Sequence, residues 1–490
     1  MAREADAALQ AKVLRIGFVC AFLLGTMFAI RLLAHGSRLP FVGFVCLLLG
    51  ALVVFLLDER FWMILPATAL MTIRLTRLHG SVAFFCAVAC FAVFLVRIPF
   101  RRDALGKLPR IVLFSLPLLC WVLSICVMNP PGFLIAGNSR IGARFYIIFA
   151  VGICLLFSFS RLRSSEDDCK LLYYLIFAGA IASFFHASWM HFFPSLEEQL
   201  DPESDAARYY LGGTLPILVL LLSRYRVHEF FLNSFRLFSA LVVFCCILFS
   251  GKRADFGRML LLPFVSSFLK KKDRFVMVWL AVVVGLVIGF LCSGQGVLFD
   301  LPKPVQRVLS VFPGKWDYRY ERYGLNDDFR HELRLIGFDI IGRSPWFGRK
   351  GYAIDAETMG WVIGKKTMFE GHIYSGNWHN AWLSFAVDFG IPGFLFACLF
   401  IIAMLKEISV RLSRVEFGTW KHVCAIYYSV SIILQLAVSH VSGTSCTLFY
   451  YCALHFTMFL LVTNQDDGGV GKFAPVASGV RSHFEGSSGE

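Results

Sequence analysis

The chain has 490 residues, of which 57% are hydrophobic and only 16% are charged, and its formal net charge is +14. Ordinary globular domains carry about 25% charged residues, so the composition excludes a soluble enzyme with a single membrane anchor. The positive charge does not indicate a nucleic-acid partner. The Lys and Arg residues fall in short clusters between apolar runs, as expected for the loops of a membrane protein in a lipid bilayer.

Apolar runs follow one another along almost the whole chain. Because a spanning helix needs about 20 mainly apolar residues, we predict an all-α polytopic membrane protein with about 12–14 transmembrane helices. The count stays open because several runs are short. The predicted spans are 13–33, 40–57, 60–73, 81–98, 111–128, 143–160, 171–189, 209–223, 235–249, 256–269, 275–293, 380–405, 422–440 and 443–463. The polar segment 1–12, followed by a run that contains Arg31, favours a first spanning helix over a cleaved signal peptide.

Basic clusters define the side of the membrane that we expect to face the cytoplasm. They lie at 97–110, 161–170, 224–226, 270–274 and 406–421. The loops on the opposite side are then 129–142, 190–208, 250–255, 294–379 and 441–442. Arg74 and Arg77 conflict with this scheme, so the orientation of the spans before residue 80 stays open.

The segment 294–379 is the one large insertion between the predicted spans, and it is rich in Trp, Tyr, Gly and Arg. Long ordered loops in compact proteins are usually functional. We therefore predict four parts. They are N-terminal transmembrane helices at 1–293, an extracytoplasmic loop domain at 294–379, C-terminal transmembrane helices at 380–463, and a Gly- and Ser-rich cytoplasmic tail at 464–490 that we expect to be disordered.

The 15 Cys residues lie mostly inside apolar runs, where a thiol behaves as a small hydrophobic group. Since no pair has metal-ligand spacing flanked by polar residues, the sequence predicts neither a zinc site nor a disulfide framework.

Two adjacent cations, Lys252 and Arg253, occupy a tight turn between two short apolar spans. At this depth a lipid-linked phosphate carries its negative charge, and the planar Arg guanidinium suits phosphate oxygens. The alternative is that both side chains extend to lipid headgroups. A second candidate cation is Arg330, near the start of a predicted amphipathic helix with apolar residues at 333, 336, 337, 340 and 341 that ends before Gly342 and Pro345. Spacing alone also fits a solvated charged face.

His379 lies at the outer end of the predicted span 380–405. A neutral imidazole can take a proton from a sugar hydroxyl, so His379 is a candidate general base. A histidine at a helix start is also commonly a hydrogen-bonding or capping residue.

These motifs occur in a particular order along the chain. Ser-Gly-Lys-Arg ends at Arg253; Arg330 is followed after 14 residues by Pro345 and then by Gly348; and His379-Asn380 is followed by Leu383, Asp388, Gly390 and Gly393. This order resembles the O-antigen ligase and polymerase family of bacterial envelope glycosyltransferases, chiefly over residues 230–400. The sequence departs from the family pattern at Lys252, where Ser or Thr is common, at Asp388, where Glu is usual, and at Arg334, where an aromatic residue is common.

The resemblance implies a metal-independent membrane glycosyltransferase that uses an undecaprenyl-diphosphate-linked glycan as donor and needs no cofactor. Arg253 and Arg330 match the arginines that bind the diphosphate, and His379 matches the catalytic histidine that activates the acceptor hydroxyl. The secondary candidates are Lys252, Arg258, Arg140, Arg208, Asn380 and Asp388. No metal ligand is expected. The protein would be multi-pass in the bacterial inner membrane with its active site on the periplasmic side.

Three functions are compatible with the sequence. The first is an O-antigen ligase, which would act in lipopolysaccharide biosynthesis by transferring the glycan to a lipid A–core acceptor. The second is an O-antigen or polysaccharide polymerase, whose acceptor is a glycan. The third is a non-enzymatic transporter or flippase of lipid-linked glycans, which would more often show two related halves.

Overall fold

The computed structural model describes residues 108–130, 144–192, 214–271, 274–317, 328–352, 376–441 and 443–464, together with 62, 63, 65, 74, 75, 80, 81, 90 and 373. The predicted spans 13–33 and 40–57, most of 60–73 and 81–98, and the secondary candidates Arg140 and Arg208 lie outside these residues.

The fold is that of an all-α polytopic membrane protein, as the sequence predicted. After a 3₁₀ helix at Arg110–Ser115, the helices are α1 (Leu116–Met128), α2 (Arg144–Phe159), α3 (Glu166–Phe192), α4 (Leu215–Arg224), α5 (His228–Phe231), α6 (Ser234–Phe249), α7 (Arg253–Lys270), α8 (Arg274–Gly294), α9 (Lys303–Leu309), α10 (Asp328–Arg343), α11 (Ala381–Leu412), α12 (Trp420–Val438) and α13 (Ser445–Thr463). A two-residue antiparallel ladder pairs β1 (Arg74–Leu75) with β2 (Gly80–Ser81).

Five of the described helical segments are long and apolar enough to cross a membrane: Arg110–Met128, Phe275–Gly294, Ala381–Leu412, Trp420–Val438 and Ser445–Thr463. Shorter apolar helices lie at Phe145–Phe159, Leu215–Arg224 and Ser234–Phe249. In the described part of the chain from residue 108 onward, each predicted span coincides with a helix, and most boundaries agree to within a few residues.

Helix α13 lies at the centre of the described bundle and packs between α2 and α12. Gly152 on α2 lets the two backbones approach closely, since a Cβ there would stand 3.3 Å from the Phe449 ring. The adjacent Phe149 ring stacks on Phe449 with centroids 4.0 Å apart. Small residues that permit close helix contact are a common way of packing helices in lipid.

Several of the predicted cytoplasmic basic clusters meet at one end of the bundle, which we call the basic end. There the Arg224 guanidinium lies 4.0 Å from the Trp420 ring centroid. The Glu166 carboxylate accepts the backbone N–H of Trp420 at 2.8 Å. Asn464, just after α13, accepts from Arg411 at 2.7 Å and donates to the carbonyl of Ser160 at 2.9 Å.

The start of α11 marks the opposite end. Its first residue, Ala381, donates its backbone N–H to the carbonyl of Ser439, just after α12, at 2.8 Å. Asn380 caps α11 by accepting the N–H groups of Trp382 and Leu383, both at 3.1 Å. Thr444 begins α13 with a capping box. The Ala381–Ser439 bond joins the start of α11 to the end of α12, and Gly443, just before α13, lies beside them with its Cβ position 3.8 Å from the Ala381 Cβ.

Candidate functional site

Helix α11 breaks at Gly390, whose backbone is non-helical at φ 73° and ψ 179°. Pro392 follows the break and cannot donate to an earlier carbonyl. The sequence predicted one continuous span at 380–405, and the structure divides it into two helical halves. A break inside a buried helix leaves polar backbone groups that need partners within the protein.

The segment 344–352, which we call the strap, follows α10 and supplies most of those partners. The backbone N–H of Arg349 donates to Val387 O and that of Gly351 donates to Asp388 O, both at 2.7 Å. On the other side of the break, Ile391 N donates to the carbonyl of Pro345 at 2.8 Å. The strap therefore forms backbone hydrogen bonds with α11 on both sides of the break.

Trp121 on α1 completes this arrangement, because its indole Nε1 donates to the carbonyl of Phe389 at 2.7 Å. The three carbonyls that precede Gly390 thus each have a donor. The two motif glycines explain how the backbones approach so closely. Gly348 and Gly390 both have positive φ, at 57° and 73°, and a Cβ on either would overlap with the opposing backbone.

A buried ion pair joins the strap to α11. The Arg349 Nε donates to the Asp388 carboxylate at 2.9 Å, and the two side chains are 1% and 0% exposed. The second carboxylate oxygen of Asp388 accepts from the Ser445 hydroxyl on α13 at 2.7 Å. Ser445 lies 2.5 Å from the hydroxyl of Tyr352, whose pKa is raised by burial and by the nearby Asp388 charge. Tyr352 therefore stays a neutral hydroxyl in this network.

Arg253 is the first residue of α7, directly after the predicted turn. Its Nε donates to the carbonyl of Arg307 and its Nη2 to the hydroxyl of Ser310, both at 3.0 Å. Gly251 has a positive φ, and a Cβ there would stand 3.7 Å from the Arg307 Cδ. The guanidinium is thus oriented by α9, and Arg307 adds a further cation next to the turn.

Two of the secondary candidates share one carboxylate partner, Asp255, on the first turn of α7. Arg258 Nη1 lies 2.9 Å from the Asp255 carboxylate, and Lys252 Nζ lies 3.8 Å from it. Arg258 also donates to the side-chain oxygen of Gln435 on α12 at 2.7 Å. These contacts fix the start of α7 beside the end of α12.

Arg330 lies in the first turn of α10, as predicted, and the helix ends at Arg343, two residues later than the predicted end before Gly342. The face that carries Leu333, Gly337 and Ile340 packs on α11, where a Cβ at Gly337 would stand 3.2 Å from Leu383 and Val387. Residues three, seven and ten positions apart share one helix face. Arg330 thus lies on the same face, two turns before Gly337 and towards the start of α11.

His379 lies between a buried tryptophan, Trp378, and the Asn380 cap, in the segment 376–380 that leads into α11. Its backbone has φ 50°, a conformation that non-glycine residues rarely adopt. Ser384 on the first turn of α11 donates to the carbonyl of Gly376 at 3.3 Å. The segment is therefore fixed against the helix that it precedes.

These contacts bring the start of α7, the start of α10, the start of α11 and the end of α12 to one end of the bundle. Arg253, Arg330 and His379 all lie at this end, opposite the basic end. In sequence they are spread over more than a hundred residues. Asn380 lies there as a helix cap, while Asp388 lies two turns deeper in the buried pair with Arg349.

Sequence reasoning missed Arg349, Arg307 and Ser310. Arg349 directly follows the motif residue Gly348, so a charged residue beside a conformationally special glycine was a usable signal. Arg307 and Ser310 had no such signal, since their relation to Arg253 comes from the folding of α9 onto the turn before α7.

The fold and this arrangement define a class: a multi-pass membrane protein with cationic side chains and a histidine gathered at one end of its bundle. Residues 238–398, about a third of the chain, match the family model described as O-antigen ligase. The match confirms the resemblance to the O-antigen ligase family and supports a glycosyltransferase of the O-antigen ligase or polymerase type. No curated protein matches the chain. In the described part of the chain, no group of three or more His, Cys, Asp or Glu side chains is placed to hold a metal ion.

Proposed function

We propose that this protein transfers a glycan from an undecaprenyl-diphosphate donor to a lipid A–core acceptor, as an O-antigen ligase. The observation that carries the proposal is the placement of Arg253, Arg330 and His379 at the end of the bundle opposite the basic clusters. With the basic end in the cytoplasm, this site faces the periplasm of a bacterial inner membrane, where a lipid-linked glycan and its acceptor can both reach it.

Arg253 and Arg330 are proposed to bind the diphosphate. During transfer the bond between the anomeric carbon and the phosphate oxygen breaks, and undecaprenyl diphosphate leaves with the electron pair of that bond. Fixed cations in a site with little water stabilise the developing charge best. Arg253 already has two N–H groups held by Arg307 and Ser310, so little reorganisation is needed.

His379 is proposed to take the proton from the acceptor hydroxyl as its oxygen attacks the anomeric carbon. The new bond joins the acceptor oxygen to that carbon, so atoms and charge balance without a redox step or a nucleotide. The diphosphate lipid is itself an activated leaving group. The two arginines are proposed to provide the charge stabilisation for which other transferases use a divalent metal.

A polymerase would use the same donor and the same three side chains but a growing glycan as acceptor. In a deletion strain, a ligase defect removes all long chains from the lipid anchor while lipid-linked polymer accumulates, whereas a polymerase defect leaves single-repeat products. The lipopolysaccharide gel profile of such a strain, complemented with the wild-type chain, separates the two.

The direct test uses the purified chain in sealed lipid vesicles with the lipid-linked glycan and lipid A–core. The expected result is transfer by the wild type and its loss in His379→Ala. Movement of the donor across vesicle membranes without any transfer would overturn the proposal in favour of a transporter.

A further inference from the structure

We infer that Arg349 and Asp388 are positioning residues that hold the His379 segment in place, an inference that rests on the function proposed above. Neither side chain reaches the surface, since both are almost completely buried. Their effect on the reaction must therefore pass through the segments that they touch.

Arg349 touches the chain just before His379. Its Nη1 donates to the carbonyl of Ile373. Gly376 lies beside the same guanidinium, because a Cβ there would stand 2.9 Å from Arg349 Nη2 and 3.2 Å from the Asp388 carboxylate. A side chain at position 376 would crowd the ion pair, and the φ of 63° at Gly376 would strain a non-glycine residue there. His379 follows only three residues later.

Asp388 holds Arg349 from the other side. Its two carboxylate oxygens are divided between Arg349 Nε at 2.9 Å and the Ser445 hydroxyl at 2.7 Å. The same residue contributes its backbone carbonyl to Gly351 of the strap. Asp388 therefore connects the broken helix α11, the strap and α13 at one point, and the guanidinium extends this connection to the segment that leads to His379.

Stability alone does not account for such a pair. Well-packed apolar residues in place of a buried ion pair are often neutral or stabilising, whereas removing one partner is strongly destabilising. A fixed guanidinium has a different use, since it presents several donors in one rigid plane and can order two segments at once. The positive φ of His379 is a strained conformation that needs such support from its surroundings.

The test uses the full chain in nanodiscs with four changes: Arg349→Lys, Asp388→Asn, the apolar double variant Arg349→Met with Asp388→Leu, and the control Arg411→Lys. Arg411 is a matched control because it lies on the same helix at the basic end and pairs with Glu407 at 2.6 Å. The double variant tests the inference if the single variants fail to fold.

The first measurement is hydrogen exchange of the backbone amides from 373 to 383, which requires no activity. We expect exchange of these amides to be about tenfold faster in Arg349→Lys, in Asp388→Asn and in the double variant. The amides of α12, and all amides in the control Arg411→Lys, should exchange as in the wild type. The second measurement is transfer kinetics. In the three variants of the pair we expect kcat to fall by about 10²-fold, because a small misplacement of a reacting group can have an effect of this size. The KM for the donor and the affinity for undecaprenyl diphosphate should stay within about twofold of the wild type.

A double variant that folds as stably as the wild type and keeps both its kcat and its amide exchange would overturn the inference, because the pair would then be replaceable packing. If the wild type itself shows no transfer, the proposed function fails, and the exchange measurement alone decides whether the pair holds the segment.

Discussion

The carboxylate of Asp388 and the guanidinium of Arg349 lie 39 residues apart in sequence and 2.9 Å apart in the structure. Asp388 belongs to the motif that begins at His379, and Arg349 directly follows the motif that ends at Gly348. The two motifs are therefore in contact in the folded protein. Their glycines, Gly348 and Gly390, lie where the strap and the broken helix approach most closely.

Replacement of Arg330 by Ala should weaken binding of undecaprenyl diphosphate by about 10- to 100-fold, since hydrogen bonds to charged groups contribute about 1.5–3 kcal/mol each. Arg253→Ala should do the same, and Arg→Lys should rescue neither, because an ammonium cannot reproduce the guanidinium fork. Binding to purified protein in nanodiscs measures this.

The matched control for Arg330 is Arg343→Ala on the same helix, where the side chain is 61% exposed and pairs with Asp339. Equal losses in Arg330→Ala and Arg343→Ala would show that α10 contributes only general charge.

His379→Ala should spare binding of undecaprenyl diphosphate and lower turnover, because a general base typically contributes about 10²–10⁴-fold. A transfer assay at matched expression measures this, with Arg140→Ala in parallel. If His379→Ala keeps near wild-type turnover while Arg140→Ala does not, the catalytic centre lies elsewhere.

Gly390→Ala should destabilise the protein because the residue has φ 73° and its Cβ would overlap with the backbone of Trp346. The strain alone costs about 1–3 kcal/mol. Gly418→Ala separates the two effects, since Gly418 has φ 91° but no described atom lies within 4 Å of its Cβ position. In detergent, the midpoint of thermal unfolding should be much lower for Gly390→Ala than for Gly418→Ala. Equal midpoints would show that the close approach of Gly390 to the Trp346 backbone does not matter for stability.

A topology reporter fused near Gly360 should be active on the non-cytoplasmic side, and one placed after Arg414 should report the cytoplasm. The reason is that the basic clusters lie at the end of the bundle opposite His379. A cytoplasmic signal near Gly360 would contradict both the topology and the proposed periplasmic site.

Prolonged treatment with a chelator should leave transfer unchanged, because arginines are proposed to stabilise the leaving diphosphate. The measurement is turnover before and after EDTA dialysis, with and without added Mg²⁺. A loss that Mg²⁺ restores would show that a metal ion shares this role.

The helices were predictable because lipid imposes one simple rule, a run of apolar residues for each span. From residue 108 onward the predicted spans agree with the described helices, and the start of α10 near Arg330 was also anticipated. The break at Gly390 was not anticipated, because hydropathy continues through it. A glycine and a proline two residues apart were the local signals of that break.

The site was predictable only in part. The positions of Arg253, Arg330 and His379 along the chain came from motif order, but their gathering at one end depends on helix-end contacts such as that between Arg258 and Gln435. The pairing of Arg349 with Asp388 is a long-range contact between two buried charges. The position of Arg349 beside Gly348 marks it as a candidate, but local sequence does not identify its partner, since burial and distance are set by the tertiary packing.

The chain leaves the strap at Tyr352 and is again in contact with it at Gly376, where a Cβ would stand 3.1 Å from the Tyr352 ring. The two ends of the intervening sequence are thus neighbours, and each contacts another helix, Tyr352 through Ser445 on α13 and Gly376 through Ser384 on α11. Closing a longer loop between fixed neighbouring ends costs little, about 0.6 kcal/mol for each doubling of length. An insertion in the sequence between these two ends should therefore leave the pair of Arg349 with Asp388 and the start of α11 in place.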